Sequence, residues 1–196
     1  MSNKNSDFKP YIPADRVVPE FTVTSVLIGI LLAIVFGAAN AYLGLKVGMT
    51  ISASIPAAVI SMAIIRLILR RDSILENNLV QTIGSAGESV AAGAIFTLPA
   101  LYILGLEAQF YQIFLSSLFG GMLGILLLIP FRKYFVRDMH GKLPFPEATA
   151  TTEVLVSGEK KGNQAKLLAV SGLVGGVYDF IISTFGWWTE EISTRM

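Results

Sequence analysis

Two acidic side chains stand where acids are costly. Glu88 lies within the apolar stretch 77–106, surrounded by Gly84, Gly87, Ala91, Ala92 and Gly93, and Asp179 follows Tyr178 inside the stretch 167–189. A carboxylate held in hydrocarbon is penalised by roughly several kcal/mol or is driven neutral. Such an acid therefore marks a coupling-ion site, a proton relay or a seat for a substrate amine; the plainer reading is a protonated or paired structural carboxyl. Asn40 and Tyr42 at the end of the first apolar stretch gather with Lys46, which lies between it and the second, with Gly44 and Gly48 around the lone lysine. A lysine there can hold a carboxylate, or can be an ordinary solvated loop residue. Gln81 and Thr82 lead into the third stretch, and Thr149 and Thr151 lie in a run between Pro146 and Gly158 that reads as a short helix near 146–157. That helix either lies solvated and amphipathic or dips into a bundle from the inner face with its hydroxyls forward.

Other chemistry is excluded by composition. With no cysteine and a single histidine, His140, there is no thiol nucleophile, disulfide or thiolate metal site, and no histidine-rich metal centre. No acids pair at helical spacing and no histidine falls in an apolar stretch, so the reading is of a non-enzyme without cofactor or metal. A net charge of +1, with basic residues scattered between apolar stretches, makes no basic face for nucleic acid.

The elements that position these residues follow from the hydropathy pattern. The chain of 196 residues is 53% hydrophobic and 15% charged, with mean hydropathy +0.63; a soluble domain carries about a quarter charged residues. The stretches 21–45, 47–65, 77–106, 108–131 and 167–189 hold only Glu88 and Asp179 of all the charges. Each is long enough to cross a hydrocarbon core of about 30 Å as a helix, and the runs are continuous rather than alternating. The expected fold is all-α, a polytopic bundle of about five spanning helices, preceded by a tail over 1–20 and interrupted by a loop over 132–166.

All basic residues except Lys46 and Arg195 fall on one side of that arrangement, which places the amino terminus and the 132–166 loop in the cytoplasm of a multi-pass cell-membrane protein. Trp187 and Trp188 then sit as interface anchors at the far face. Lys4, Lys9 and Arg16 before an apolar run ending near Ala39-Asn40-Ala41 have the look of a signal peptide. Asp7, Asp15 and Glu20 interrupt that basic region, and the first stretch is expected to stay as a helix.

Small residues recur at every fourth position: Gly29, Ala33, Gly37 and Ala41; Ala53, Ala57 and Ser61; Ser85, Ser89, Gly93 and Thr97; Gly120 and Gly124; Gly172 and Gly176. This spacing predicts close helix packing rather than isolated anchors. Pro56 in the middle of the second stretch and Pro99 near the end of the third predict kinks or breaks, a device by which secondary transporters build sites at the midplane.

Three blocks together resemble the oligopeptide transporter family, in particular its yellow stripe-like metal-chelate branch. Asn40-x-Tyr42 through Leu45-Lys46-x-Gly48-Met49 is similar to the family's Asn-x-Tyr, Leu-Lys-Thr-Gly element, with Val47 in place of threonine. Glu76-Asn77-x-x-x-Gln81-Thr82 is similar to its Glu-Asn, Gln-Thr element. Phe145-Pro146-x-x-Thr149-Ala150-Thr151 through Gly158 is similar to its Tyr-Pro-Ser-Gly-Thr-Ala-Thr block, with Glu147 and Ala148 as departures.

The resemblance implies a cation-coupled secondary transporter, expected to be a proton symporter, moving peptides, modified peptides or metal chelates by alternating access. It also implies that this chain is the amino-terminal portion of a longer one. In that reading Asn40, Tyr42 and Lys46 line the outer approach, Gln81 and Thr82 the third helix, Thr149 and Thr151 the inner approach, and Glu88 with Asp179 the coupling-ion site. The partners implied are the lipid bilayer, the small substrate, the coupling proton or cation, and the remainder of a longer chain or a second copy. The rival is a small scaffold or channel-like subunit that acts through its packing stripes.

Overall fold

The structure, a computed structural model, describes residues 11–13, 15–71, 73–107, 109–139, 141–159 and 163–185. Among them are six α-helices: α1 (Val23–Val47), α2 (Ser54–Ala63), α3 (Ile74–Ile103), α4 (Phe110–Lys133), α5 (Pro146–Glu159) and α6 (Asn163–Phe185). α2 and α4 each run on into a π-helical turn, Ile64–Ile68 and Tyr134–Asp138. The all-α, polytopic character holds, with three helices among the described residues long and apolar enough to cross a membrane: α1, α3 and Phe110–Asp138. Against the expected five crossings, Ser54–Arg66 and Leu173–Ile182 are shorter apolar helical stretches. Trp187 and Trp188 lie outside the described residues.

The stretch 47–65 is not the single helix expected. α1 ends on Gly48, whose φ of +77° suits glycine and whose N–H bonds the Gly44 carbonyl at 2.9 Å. Residues 49–53 are then non-helical, and α2 begins only at Ser54. Pro56 thus falls in the first turn of α2, where its missing N–H would have had no partner in the helix anyway, instead of kinking a helix at its middle.

α1 packs mainly on α3, and the small-residue stripe of α1 makes the seam. A Cβ on Gly29 would come within 2.8 Å of Ile83 Cβ, one on Gly37 within 3.2 Å of the Gly87 carbonyl, and one on Gly87 would overlap the carbonyl of Ala33. Without a hydrophobic drive inside lipid, such backbone approach is what gives two helices their van der Waals contact. Ala57 and Ser61 of α2, with Ala53 just before it, are buried, and Leu32, Ala57, Ile65 and Val80 form a common core with Ile28 and Phe36 against it. The α3 stripe of Ser89, Gly93 and Thr97 is exposed; α3 uses Val80, Gly84 and Gly87 for packing instead. α4 buries none of its residues, and a Cβ on Gly120, Gly124 or Gly176 would meet nothing within 4 Å.

Polar side chains lock the ends of these helices together. Thr22 and Ser25 form a reciprocal capping box at the start of α1. Thr22 Oγ1 also donates to Glu76 Oε1 at 2.6 Å, and Arg71 approaches the same oxygen at 3.6 Å. Ser61 Oγ donates to Asn77 Oδ1 at 2.7 Å, and Asn77 Nδ2 donates to the Ser73 carbonyl at 3.0 Å, joining α2 to α3 in a buried setting. Asn77→Ala leaves the fully buried Ser61 hydroxyl only its longer bond to the residue-77 carbonyl, at 3.4 Å. It is expected to cost about 1–3 kcal/mol, seen as a lowered Tm in detergent.

Candidate functional site

A helix that starts inside a bundle leaves its first N–H groups without helical partners, and in lipid they must find acceptors. Two of the residues expected from sequence supply acceptors, one to the unwound segment before α2 and one to its cap. Asn40 Oδ1, buried on α1, accepts the Ile51 N–H at 2.9 Å, and Glu88 Oε2 accepts the Ala53 N–H at 2.7 Å. Glu88 lies at the middle of α3, so the break before α2 stands at mid-depth of a spanning helix. The carboxylate thus sits at the amino-terminal end of α2, where the helix dipole is positive.

α5 docks beside α2 in the same direction. At its start Glu147 accepts a hydrogen bond from Ser52 Oγ, and at its end the Gly158 carbonyl receives the Arg66 guanidinium. Hydroxyl donation, from Ser52 first and Ser54 next, holds the Glu147 carboxyl below its ordinary value against the opposing effect of burial. Between the amino-terminal ends of α2 and α5 and the flank of α3 is a cavity of about 500 Å³ that takes in Ser54, Asn78, Gln81, Glu147, Thr151 and Thr152. Its size falls in the range of small-molecule sites. Gln81 and Thr151 are buried, and Thr151 Oγ1 has no hydrogen-bond partner, a costly state for a hydroxyl unless a ligand or water meets it.

Comparison with known proteins gives this geometry a setting. The family described as OPT oligopeptide transporter protein matches residues 20–196. The chain belongs to the OPT oligopeptide transporter family. It is 41% identical over 144 residues to a protein of Haemophilus influenzae named as a candidate oligopeptide transporter, covering 71% of this chain and 22% of that one. It is 28% identical over 217 residues to the metal-nicotianamine transporter YSL3 of Arabidopsis thaliana, covering 94% of this chain and 31% of that one. The chain therefore spans less than a third of the length of either relative. No solved structure matches it.

Within this OPT chain the expected site residues separate into groups. Gln81 and Thr151 meet at the cavity, and Glu88 and Asn40 hold the unwound backbone behind it. Tyr42 and Lys46 are exposed near the end of α1, with the Lys46 ammonium 5.7 Å from the Tyr42 ring centre. Thr82 is exposed and returns its hydroxyl to the Asn78 carbonyl at 2.8 Å; Thr149 is exposed on α5. Asp179 falls on α6, and its side chain lies outside the described residues, as does His140.

Sequence reasoning missed Glu147, Ser52 and Ser54 as site residues. Glu147 was visible only as a departure from the family block, and the serines looked like part of a continuous helix. A larger cleft of about 810 Å³ lies between α3 and α4. It is a poorer candidate, since the hydroxyls of Ser89 and Thr97 within it are turned back onto carbonyls of their own helix.

Proposed function

We propose that this chain contributes part of the translocation path of a secondary active transporter for small peptides, modified peptides or metal chelates, coupled to protons through Glu88. The observation that carries the reading is the break at 49–53: unwound backbone at the depth of an intramembrane acid, beside a polar cavity with an unpartnered hydroxyl. Broken helices of this kind form substrate and ion sites at the midplane of secondary transporters. The relatives' names supply the substrate classes, oligopeptide for one and metal-nicotianamine for the other.

Gln81 and Thr151 line the binding cavity in this reading, Thr149 the inner approach, Tyr42 and Lys46 the outer approach, and Asp179 is a second coupling acid. The distribution of basic residues orients the amino terminus and the loop carrying α5 toward the cytoplasm. The test is uptake by the full-length protein in proteoliposomes under an imposed pH gradient, with short peptides and iron chelates as substrates. Saturable uptake that collapses with the gradient is expected. Saturable uptake indifferent to the gradient removes the coupling, and the lack of any saturable uptake favours an assembling scaffold.

A further inference from the structure

Glu147 and Thr151 are four residues apart on α5, so they share one helix face about one turn apart. Both line the cavity, Glu147 exposed and Thr151 buried, and α2 and α3 add Ser54, Asn78 and Gln81. A carboxylate offers about four acceptor positions; Ser52 and Ser54 occupy at most two of them at Glu147. Thr151 is 6% exposed, and its hydroxyl is buried without a hydrogen-bond partner. A charged acceptor and a free hydroxyl one turn apart fit a ligand that brings a cationic donor and an adjacent polar group.

The cavity is far roomier than a bare ion needs, and among the described residues no cluster of three metal-ligating side chains exists. An organic ammonium satisfies both observations. We propose that Glu147 is the seat of the substrate's amino group, and that Thr151 Oγ1 and the Gln81 amide take the neighbouring carbonyl and amide of the substrate backbone. This rests on the transport reading and narrows it to substrates with a free amine. It also gives the two acids separate duties: Glu88 answers to the backbone of the break, and Glu147 to the ligand.

The test is uptake of tri-alanine and N-acetyl-tri-alanine by the full-length protein in proteoliposomes, with KM and kcat measured separately. The wild type is expected to show a KM for the free peptide about tenfold or more below that for the acetylated one, the scale of a lost charge-assisted hydrogen bond. Glu147→Gln is expected to raise KM for the free peptide to that of the acetylated one while kcat stays within about twofold. Acetylated-peptide uptake in the same vesicles reports that the variant is folded. Glu147→Asp, which keeps the charge but withdraws it by one methylene, is expected to fall between the two and gives the same readout if the glutamine variant does not insert.

Equal KM values for both peptides in the wild type overturn the proposal. So does a Glu147→Gln variant that loses kcat equally for both, which would make Glu147 only a tether for α5. Failure of the wild type to take up either peptide saturably sinks the peptide-transport reading along with it, and is thereby distinguished from failure of amine recognition alone.

Discussion

Glu88→Gln is expected to leave the protein folded and to abolish the dependence of uptake on a pH gradient, whereas Glu88→Ala is expected to damage both. The difference follows from what each side chain leaves for the Ala53 N–H, which Glu88 Oε2 now accepts at 2.7 Å. Glutamine keeps a carbonyl oxygen in reach of that donor but cannot gain or lose a proton. Alanine leaves the N–H unmet inside the bundle, at about 1–3 kcal/mol. A loss of that size at the first turn of α2 lowers the population of the working site, and uptake with it, by roughly 10- to 100-fold. Parallel measurement of Tm and gradient-driven uptake separates the two effects. Unaltered gradient dependence in Glu88→Gln would take the coupling role away from this residue.

Gly87→Val is expected to be the most damaging single change to the fold. A Cβ at this position overlaps the backbone carbonyl of Ala33, and a backbone atom has no rotamer to retreat into. α1 and α3 must move apart along the seam that also holds Gly29 on Ile83 and Gly37 on Gly87. Overpacking of this kind costs about 1–3 kcal/mol or more, and here it strikes the main helix contact of the fold. The expected result is loss of a monodisperse peak on detergent size exclusion for the full-length protein. Gly93→Val, with nothing within 4 Å of its Cβ, is expected to be tolerated. Equal behaviour of the two variants would contradict the packing described for α1 and α3.

Most of the architecture was legible because a hydrocarbon solvent writes itself into composition: long uncharged stretches must be helices, and fourfold small-residue spacing marks a face on which another helix can approach closely. The α1 stripe proved to be the seam for this reason. The α3 stripe of Ser89, Gly93 and Thr97 has the same spacing and lies open, because spacing defines a face without saying whether a neighbour covers it. The break before α2 was hidden by apolar residues that read as helix throughout. It exists because Asn40 and Glu88, from other helices, accept its N–H groups, and such long-range partners leave no local mark in the sequence.

The Glu76-Asn77-x-x-x-Gln81 block shows the same limit at a finer scale. Glu76 and Asn77 tie helix ends to Thr22 and Ser61, while Gln81, one turn on from Asn77, reaches the cavity. Adjacent motif residues thus meet packing partners and the cavity in turn, and only the fold tells them apart. Glu147 lines the cavity because α5 packs against the start of α2.

In the proposed transport reading the break at the start of α2 opens onto a wet, substrate-binding cavity reached from the cytoplasm. The 196-residue chain has no cysteine, so single cysteines at Ser54 and Thr152 in an otherwise cysteine-free full-length protein test it directly. Inside-out vesicles are treated with a membrane-impermeant thiol reagent, with and without tri-alanine or an iron chelate. Both positions are predicted to react from the cytoplasmic face and to be protected by substrate, while a cysteine at Ala57, fully buried one turn further along α2, stays inert. Silence at Ser54 and Thr152, or reaction indifferent to every substrate, would mean that the break is a packing feature and that the path lies elsewhere.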